Sequence, residues 1–163
     1  MGEAGYDTAQ ICLNGHIINA ISVYKPEYNK EFCDVCGSAT ITCCQVCKEP
    51  IRGYYHRPHV ILTYPINYVV PSYCQNCGNA FPWTEARIQA AKELADELEH
   101  LSEQEKDSLK DAVDDIVRDT PQSTVAATRF KRLIIKAGQE ASDAFRQILV
   151  DITSEAIKKS IWG

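Results

Sequence analysis

Cys12-Leu13-Asn14-Gly15-His16, Cys33-Asp34-Val35-Cys36, Cys44-Gln45-Val46-Cys47 and Cys74-Gln75-Asn76-Cys77 are the stretches that decide this fold. Seven of the eight cysteines and one of the four histidines stand in these close pairs. A tetrahedral zinc site takes four soft ligands, commonly as two short-range pairs, so four pairs supply two sites. One Cys-x-x-Cys alone carries little weight. Four pairs in the first half of one chain carry a great deal. In a reducing compartment paired thiols serve as metal ligands more readily than as disulfides. Spacing leaves the combination of pairs open: sixteen residues separate His16 from Cys33, seven separate Cys36 from Cys44, and twenty-six separate Cys47 from Cys74. Joining the outer pairs instead of neighbouring ones costs only about 1 kcal/mol more in closure entropy, so closure does not choose.

Composition divides the 163 residues near Trp83. Every cysteine and tyrosine, and every proline except Pro121, lies before that point; Ala, Leu, Ile, Glu, Asp and Lys dominate after it. Two domains are expected, residues 1–83 and residues 84–163. A loop-and-strand domain of the first kind buries too little apolar surface to hold itself comfortably. Structural zinc is the expected supplement, contributing about 10–16 kcal/mol of apparent binding free energy that acts as folding free energy. No run of about eighteen apolar residues occurs and no secretory apolar core stands at the N-terminus, so a soluble, cytoplasmic chain without a membrane span is expected. Met1-Gly2 is followed by Tyr6 where an acylation signal needs Ser or Thr.

The run Cys12-Leu13-Asn14-Gly15-His16 with Phe32-Cys33-Asp34-Val35-Cys36-Gly37 resembles the C-x-N-G-H…F-C-x-x-C-G pattern of bacterial zinc ribbons. Cys44-x-x-Cys47 with Tyr73-Cys74-Gln75-Asn76-Cys77-Gly78 resembles a second ribbon. The resemblance implies sequential pairing: Cys12, His16, Cys33 and Cys36 around one zinc, and Cys44, Cys47, Cys74 and Cys77 around another. The whole chain also resembles an uncharacterised bacterial family, a domain of unknown function. That likeness rests on Tyr6-Asp7-Thr8-Ala9-Gln10-Ile11-Cys12, Pro50-Ile51-Arg52-Gly53-Tyr54-Tyr55-His56, Phe81-Pro82-Trp83-Thr84-Glu85 and Ile148-Leu149-Val150-Asp151-Ile152. The fold expected is α+β: an N-terminal double zinc ribbon of short strands, then an α-helical bundle of about four helices.

Three features of the first domain invite a stronger reading than they support. Cys43 lies in the expected strand Thr40-Ile41-Thr42-Cys43, on the apolar side with Ile41, and reads as a small core residue. His56 and His59 beside Arg57 have no carboxylate or nucleophile partner in view and read as loop residues. Val60-Ile61-Leu62 and Tyr68-Val69-Val70 read as a pair of strands packed on the ribbon, with an aromatic face for single-stranded nucleic acid as the functional alternative.

Past Trp83 the period changes. Thr84 is a candidate N-cap for a helix carrying Ala91, Leu94, Leu98 and Leu101. Ser102 and Glu105 form a capping box for a second helix, with Leu109, Ala112, Val113, Ile116 and Val117 on one stripe. Thr120-Pro121 opens a third, which buries Ala126, Phe130, Leu133, Ile134 and Ala137. Gly138 either ends it or interrupts a longer rod. Ala141, Ala144, Phe145, Ile148, Leu149, Ile152 and Ala156 then make the clearest stripe. Asp143, Arg146, Asp151, Glu155 and Lys158 interrupt that stripe too often for membrane insertion. The formal net charge of −5 is uneven, acidic from Glu85 to Asp119 and basic from Thr120 onward. Opposed blocks of this kind steer helices together within one chain or between two.

All recognisable chemistry is taken up by eight ligands, four to each site, whereas catalytic zinc keeps a position open for water. The function expected is therefore non-enzymatic: a zinc-binding interaction or scaffold module. Its helices would form a homodimer or dock a protein partner. Nucleic-acid binding is the first alternative, disfavoured because Lys25, Lys30, Lys48, Arg52 and Arg57 stand against six carboxylates in the first 83 residues. A rubredoxin-like iron electron-transfer role for Cys44, Cys47, Cys74 and Cys77 is the second, since soft thiolates alone do not exclude iron.

Overall fold

Knuckles every few residues leave room only for short strands, and short strands are what form. The computed structural model describes residues 3–63 and 66–163. The chain is α+β and divides into two units, Met1–Thr84 and Glu85–Gly163. In the first unit β1 (Gly5–Thr8) pairs antiparallel with β5 (Arg52–His56). β2 (Gln10–Cys12) pairs with β3 (Ile17–Asn19) on one side and β4 (Thr40–Ile41) on the other. The two sheets are laced through single residues. The N–H of buried Ala9, between β1 and β2, donates to Ile51 O at 2.8 Å, and the N–H of Ile51 donates to Thr42 O at 2.9 Å. Gly53 permits the closest approach. A Cβ there would overlap the carbonyl oxygen of Ala20 and stand 2.8 Å from that of Asp7.

Residues 20–31 hold their shape through polar side chains rather than ladders. The Asp7 carboxylate accepts from the N–H groups of Val23 at 2.9 Å and Tyr24 at 3.0 Å. Buried Gln10 donates to Lys30 O and Thr40 Oγ1, both at 2.8 Å, and Asn19 donates to Lys25 O at 2.8 Å. These amides satisfy backbone groups that no strand reaches. Ala9, Ile11, Ile51, Phe81 and Trp83 form the core of this unit together with Cys44 and Cys74.

The pair of strands expected between Tyr54 and Tyr73 does not form among the described residues, which beyond His56 run irregularly to Pro71. Pro58 and Pro71 lack the N–H a ladder needs and His59 takes φ +67°, so the segment is held by side chains instead. Tyr68 donates to Arg52 O at 2.6 Å and packs with Val70 against the core. Tyr64 and Pro65 in this run, and Met1-Gly2 at the absent acylation signal, lie outside the described residues. Cys43 is half-buried and bridges Pro50, outside β4 and outside the core expected for it.

The helices are α1 (Pro82–Asp96), α2 (Glu103–Ile116), α3 (Ser123–Ala137), α4 (Gln139–Leu149) and α5 (Glu155–Trp162). Thr84 is not the N-cap of α1. Pro82 takes the first position, where its missing N–H costs nothing, and buried Thr84 instead donates its hydroxyl to Ser72 O at 2.8 Å. The capping box of α2 forms as expected. α3 starts past Thr120-Pro121 because Ser123 Oγ accepts from Thr120 N–H and donates to Asp115 O, both at 2.7 Å. Gly138, at φ +109°, ends α3 and leads straight into α4.

The long last stripe is two helices. Thr153 donates to Leu149 O at 2.9 Å where α4 ends, Ser154 caps α5, and Ala156 faces solvent. Five helices, where about four were expected, thus form the second unit.

α3 packs on α2, α4 and α5, and Phe130 is its hub: fully buried, edge-on to Phe145 at 5.3 Å and to Trp162 at 6.2 Å. Phe145, Leu149 and Ile152 are buried in this same core. The opposed charge blocks meet within the chain where Lys136 pairs with Glu105 at 2.6 Å, while Arg87 pairs with Asp151 at 2.9 Å in the reverse sense, its cation lying in the acidic block. Exposed pairs of this sort set orientation more than stability. Phe130→Ala is expected to cost about 3–5 kcal/mol in denaturant unfolding followed by helical signal. Gly53→Ala is expected to leave that helical transition in place while destabilising the first unit, read by its near-ultraviolet signal.

Candidate metal centres

Three segments repeat one backbone design: Phe32–Ala39 (FCDVCGSA), Cys43–Pro50 (CCQVCKEP) and Tyr73–Ala80 (YCQNCGNA). In each, the first cysteine's N–H donates to the carbonyl five residues on: Cys33 to Ser38, Cys44 to Glu49 and Cys74 to Asn79, at 2.8–2.9 Å. The residue after the second cysteine donates back to the first cysteine's carbonyl: Gly37 to Cys33, Lys48 to Cys44 and Gly78 to Cys74, at 2.8–3.0 Å. The flanking residues close an antiparallel bridge, Phe32 with Ala39, Cys43 with Pro50 and Tyr73 with Ala80. This turn needs a left-handed residue after the second cysteine, supplied by Gly37 at φ +74°, Lys48 at +65° and Gly78 at +72°. Reading the cysteines only as pairs misses the eight-residue repeat. Seen as a repeat, it gives Cys43 its place: it occupies the bridging position of Phe32 and Tyr73.

The fourth knuckle differs. Cys12 and His16 flank a tight β2–β3 turn in which Gly15 takes φ +87° and donates to Cys12 O at 2.9 Å. Gly15 also lies on the Trp83 side chain, where a Cβ would stand 3.0 Å from Trp83 Cβ. Trp83 is fixed in turn by its indole N–H, which donates to Pro71 O at 2.9 Å, and by stacking on Phe81 at 4.7 Å.

These turns bring Cys12, His16, Cys33 and Cys36 together in one group and Cys44, Cys47, Cys74 and Cys77 in a second, with the ligand atoms of each group all within 4.8 Å of one another. A tetrahedral ion with bonds of about 2.3 Å to sulfur and about 2.0–2.1 Å to nitrogen has S···S edges near 3.8 Å and S···N edges near 3.6 Å. The observed edges match. Cys12 to Cys36 and Cys44 to Cys77 are each 3.7 Å, and Cys47 to Cys74 is 3.6 Å. His16 Nδ1 lies 3.4 Å from Cys12 Sγ and 3.6 Å from Cys33 Sγ, so Nδ1 is the nitrogen turned inward. A disulfide needs sulfurs about 2.05 Å apart, and all eight cysteines are free. Both groups can therefore hold a metal ion. Among the described residues Cys43, His56 and His59 belong to neither.

Hydrogen bonds to sulfur favour the charged form of Cys36, Cys47 and Cys77, whereas Cys74, despite backbone donors at Cys77 and Asn76, is raised to about 11 by burial and its neighbouring thiols. Cys36 is lowered to about 5, first by the Ser38 hydroxyl and backbone N–H and then by the Asn14 amide, whose Nδ2 is 3.3 Å away. Asn79 does the same at the second group: its side-chain and backbone N–H groups lower Cys77 to about 6, with Nδ2 at 3.3 Å. Cys47 is lowered by Asn76 and by the backbone N–H of Glu49. Burial pushes the Cys12 thiol up, against backbone donors at His16 and Asn14. Asn14, Asn76, Asn79 and Ser38 are thus supporting residues that a search for ligands alone passes over.

Short strands, repeated cysteine knuckles and a separate helical unit define an α+β protein with two four-ligand clusters. The chain belongs to the family described as uncharacterized proteins conserved in bacteria (DUF2321), whose model matches residues 5–161. No curated protein and no solved structure matches it.

Cys33→Ser and Cys74→Ser are each expected to remove about one metal equivalent, because serine does not supply the anionic sulfur a site must deprotonate to bind. Cys43→Ser is expected to leave the count unchanged. Elemental analysis of the purified variants reads all three.

Proposed function

We propose that this chain is a non-enzymatic interaction or scaffold module, held by two structural zinc ions and working in the cytoplasm. One observation carries the reading: each cluster closes a full set of four protein donors with tetrahedral edge lengths. A complete set gives an ion no open position for water or substrate, which is the mark of structural zinc. Three thiolates and an imidazole suit zinc at the first cluster. Four thiolates at the second suit zinc or iron, and the structural role of the first extends most simply to both.

The helical unit would supply the partner surface. Phe145, Leu149 and Ile152 already serve its own core, so a homodimer or a docked protein would meet other faces of these helices. No helix among the described residues is long and apolar enough to cross a membrane.

Elemental analysis joined to mass in solution tests the reading. Two zinc ions per chain, a colourless preparation and a dimeric or partner-bound mass are expected. Iron at the second cluster, seen as a red colour, would replace the scaffold by an electron-transfer reading. A strong chelator is expected to abolish the near-ultraviolet signal of the first unit and spare the helical signal, because every ligand lies before Thr84.

A further inference from the structure

The β1–β5 ribbon carries side chains that neither metal cluster uses. Tyr6 stands directly opposite Tyr55 in the register, so both project from one face, and their rings meet edge to face at 5.0 Å. Neither ring is covered by the core, Tyr6 being 59% and Tyr55 39% exposed. A guanidinium lies over each: Arg52 is 4.5 Å from the Tyr6 centroid and Arg57 is 5.8 Å from that of Tyr55. Beyond Tyr55 the face continues into a cavity of about 400 Å³, bounded by Tyr54, Arg57, Val60 and Ile61. Val60 and Ile61 are exposed there, Ile61 by 88%.

The two guanidiniums on this face have no acid partner. No carboxylate among the described residues pairs with Arg52 or Arg57, although the exposed Glu3 stands two residues before β1. Asp7 accepts from the Val23 and Tyr24 amides, Glu27 lies 3.7 Å from Lys25, and Asp34 lies 2.6 Å from Lys30. Two exposed aromatic rings invite flat, aromatic ligand groups, and the two unpaired guanidiniums lying over them invite anions. A single strand of nucleic acid presents both at a short repeat, while a duplex hides its base faces.

We propose that the face formed by Tyr6, Tyr55, Arg52 and Arg57 binds single-stranded nucleic acid. Bases stack on the two tyrosines, one entering the cavity beside Ile61, and phosphates meet the two arginines. The site is independent of which metal the clusters hold and lies on the strands those clusters support.

Fluorescence anisotropy of a labelled oligo-dT of about ten nucleotides, titrated with the metal-loaded full chain, tests this. Single-strand binding tighter than that of the matching duplex is expected, with a log–log salt slope near −1.4 for two phosphate contacts. Tyr6→Ala and Tyr55→Ala are each expected to weaken binding by about tenfold or more. Tyr6→Leu, which keeps apolar bulk without an aromatic face, is expected to weaken it similarly with metal content and circular dichroism unchanged. Arg52→Gln and Arg57→Gln are each expected to make the slope shallower by about 0.7. Absence of binding at low salt, equal binding of the duplex, or unchanged affinity in folded tyrosine variants would overturn the proposal. Competition by poly-glutamate as effective as that of unlabelled oligo-dT would do the same, reducing the face to a simple cationic patch.

Discussion

Convergence of four donor atoms on one point is the constraint on which the first unit depends. Its longest strand is Arg52–His56 and its shortest is Thr40–Ile41, too short for ladders to hold distant segments together. The apolar core is also small, and two of its buried members are the cysteines Cys44 and Cys74. Each cluster joins segments far apart in sequence: the β2–β3 turn to the Cys33 knuckle, and the Cys44 knuckle to the Cys74 knuckle. β4 links the two clusters, since it follows the Cys33 knuckle, pairs with β2 and runs within three residues of Cys44. The helical unit shares none of this. Its order follows from apolar stripes closing around Phe130.

Gathering thiolates sets up an electrostatic problem that the knuckle turn solves. A dication with three thiolates leaves a net charge of about −1, and one with four leaves about −2. The backbone N–H groups of Ser38, Glu49 and Asn79 lower Cys36, Cys47 and Cys77, so the turn itself delivers a donor to the second sulfur. Asn14 and Asn79 add one amide N–H to each cluster. Lys48 stands where the other two knuckles have glycine, in a left-handed conformation that disfavours a side chain, and its ammonium reaches Gln45 O at 3.0 Å over the same knuckle.

Much of this is legible in the sequence, and the failures have specific causes. The eight cluster members stand out because soft ligands at such fixed spacing serve little besides a metal ion. Helical stripes are legible wherever 3.6-residue periodicity runs uninterrupted, as from Leu109 to Val117. Periodicity fails where a side chain overrides it. Thr153 ends α4 by bonding Leu149 O, so a stripe that reads as one helix becomes two and Ala156 turns outward. Thr84 looks like a cap but is claimed by Ser72 O. The strands expected after His56 rest on apolar content alone, against prolines that deny them donors. Cys43 is misplaced when alternation is extended past Ile41, where the knuckle geometry has already replaced the strand.

Net charge is the least transferable of the sequence arguments. A sum over the first 83 residues weighs every carboxylate against every cation, although at physiological salt a charge is screened beyond about 8 Å. The fold then sorts the charges. Asp7, Glu27 and Asp34 meet backbone amides or lysines, and Arg52 and Arg57 lie over tyrosine rings with no carboxylate among the described residues paired to them. Stacking on a ring keeps a guanidinium extended at low conformational cost and leaves its edge donors free, which a salt bridge would not. A segment that is acidic on average thus still presents two unpaired guanidiniums on exposed rings, because the same backbone that places Asp7 to cap the Val23 and Tyr24 amides turns Tyr6 to the opposite side of the strand.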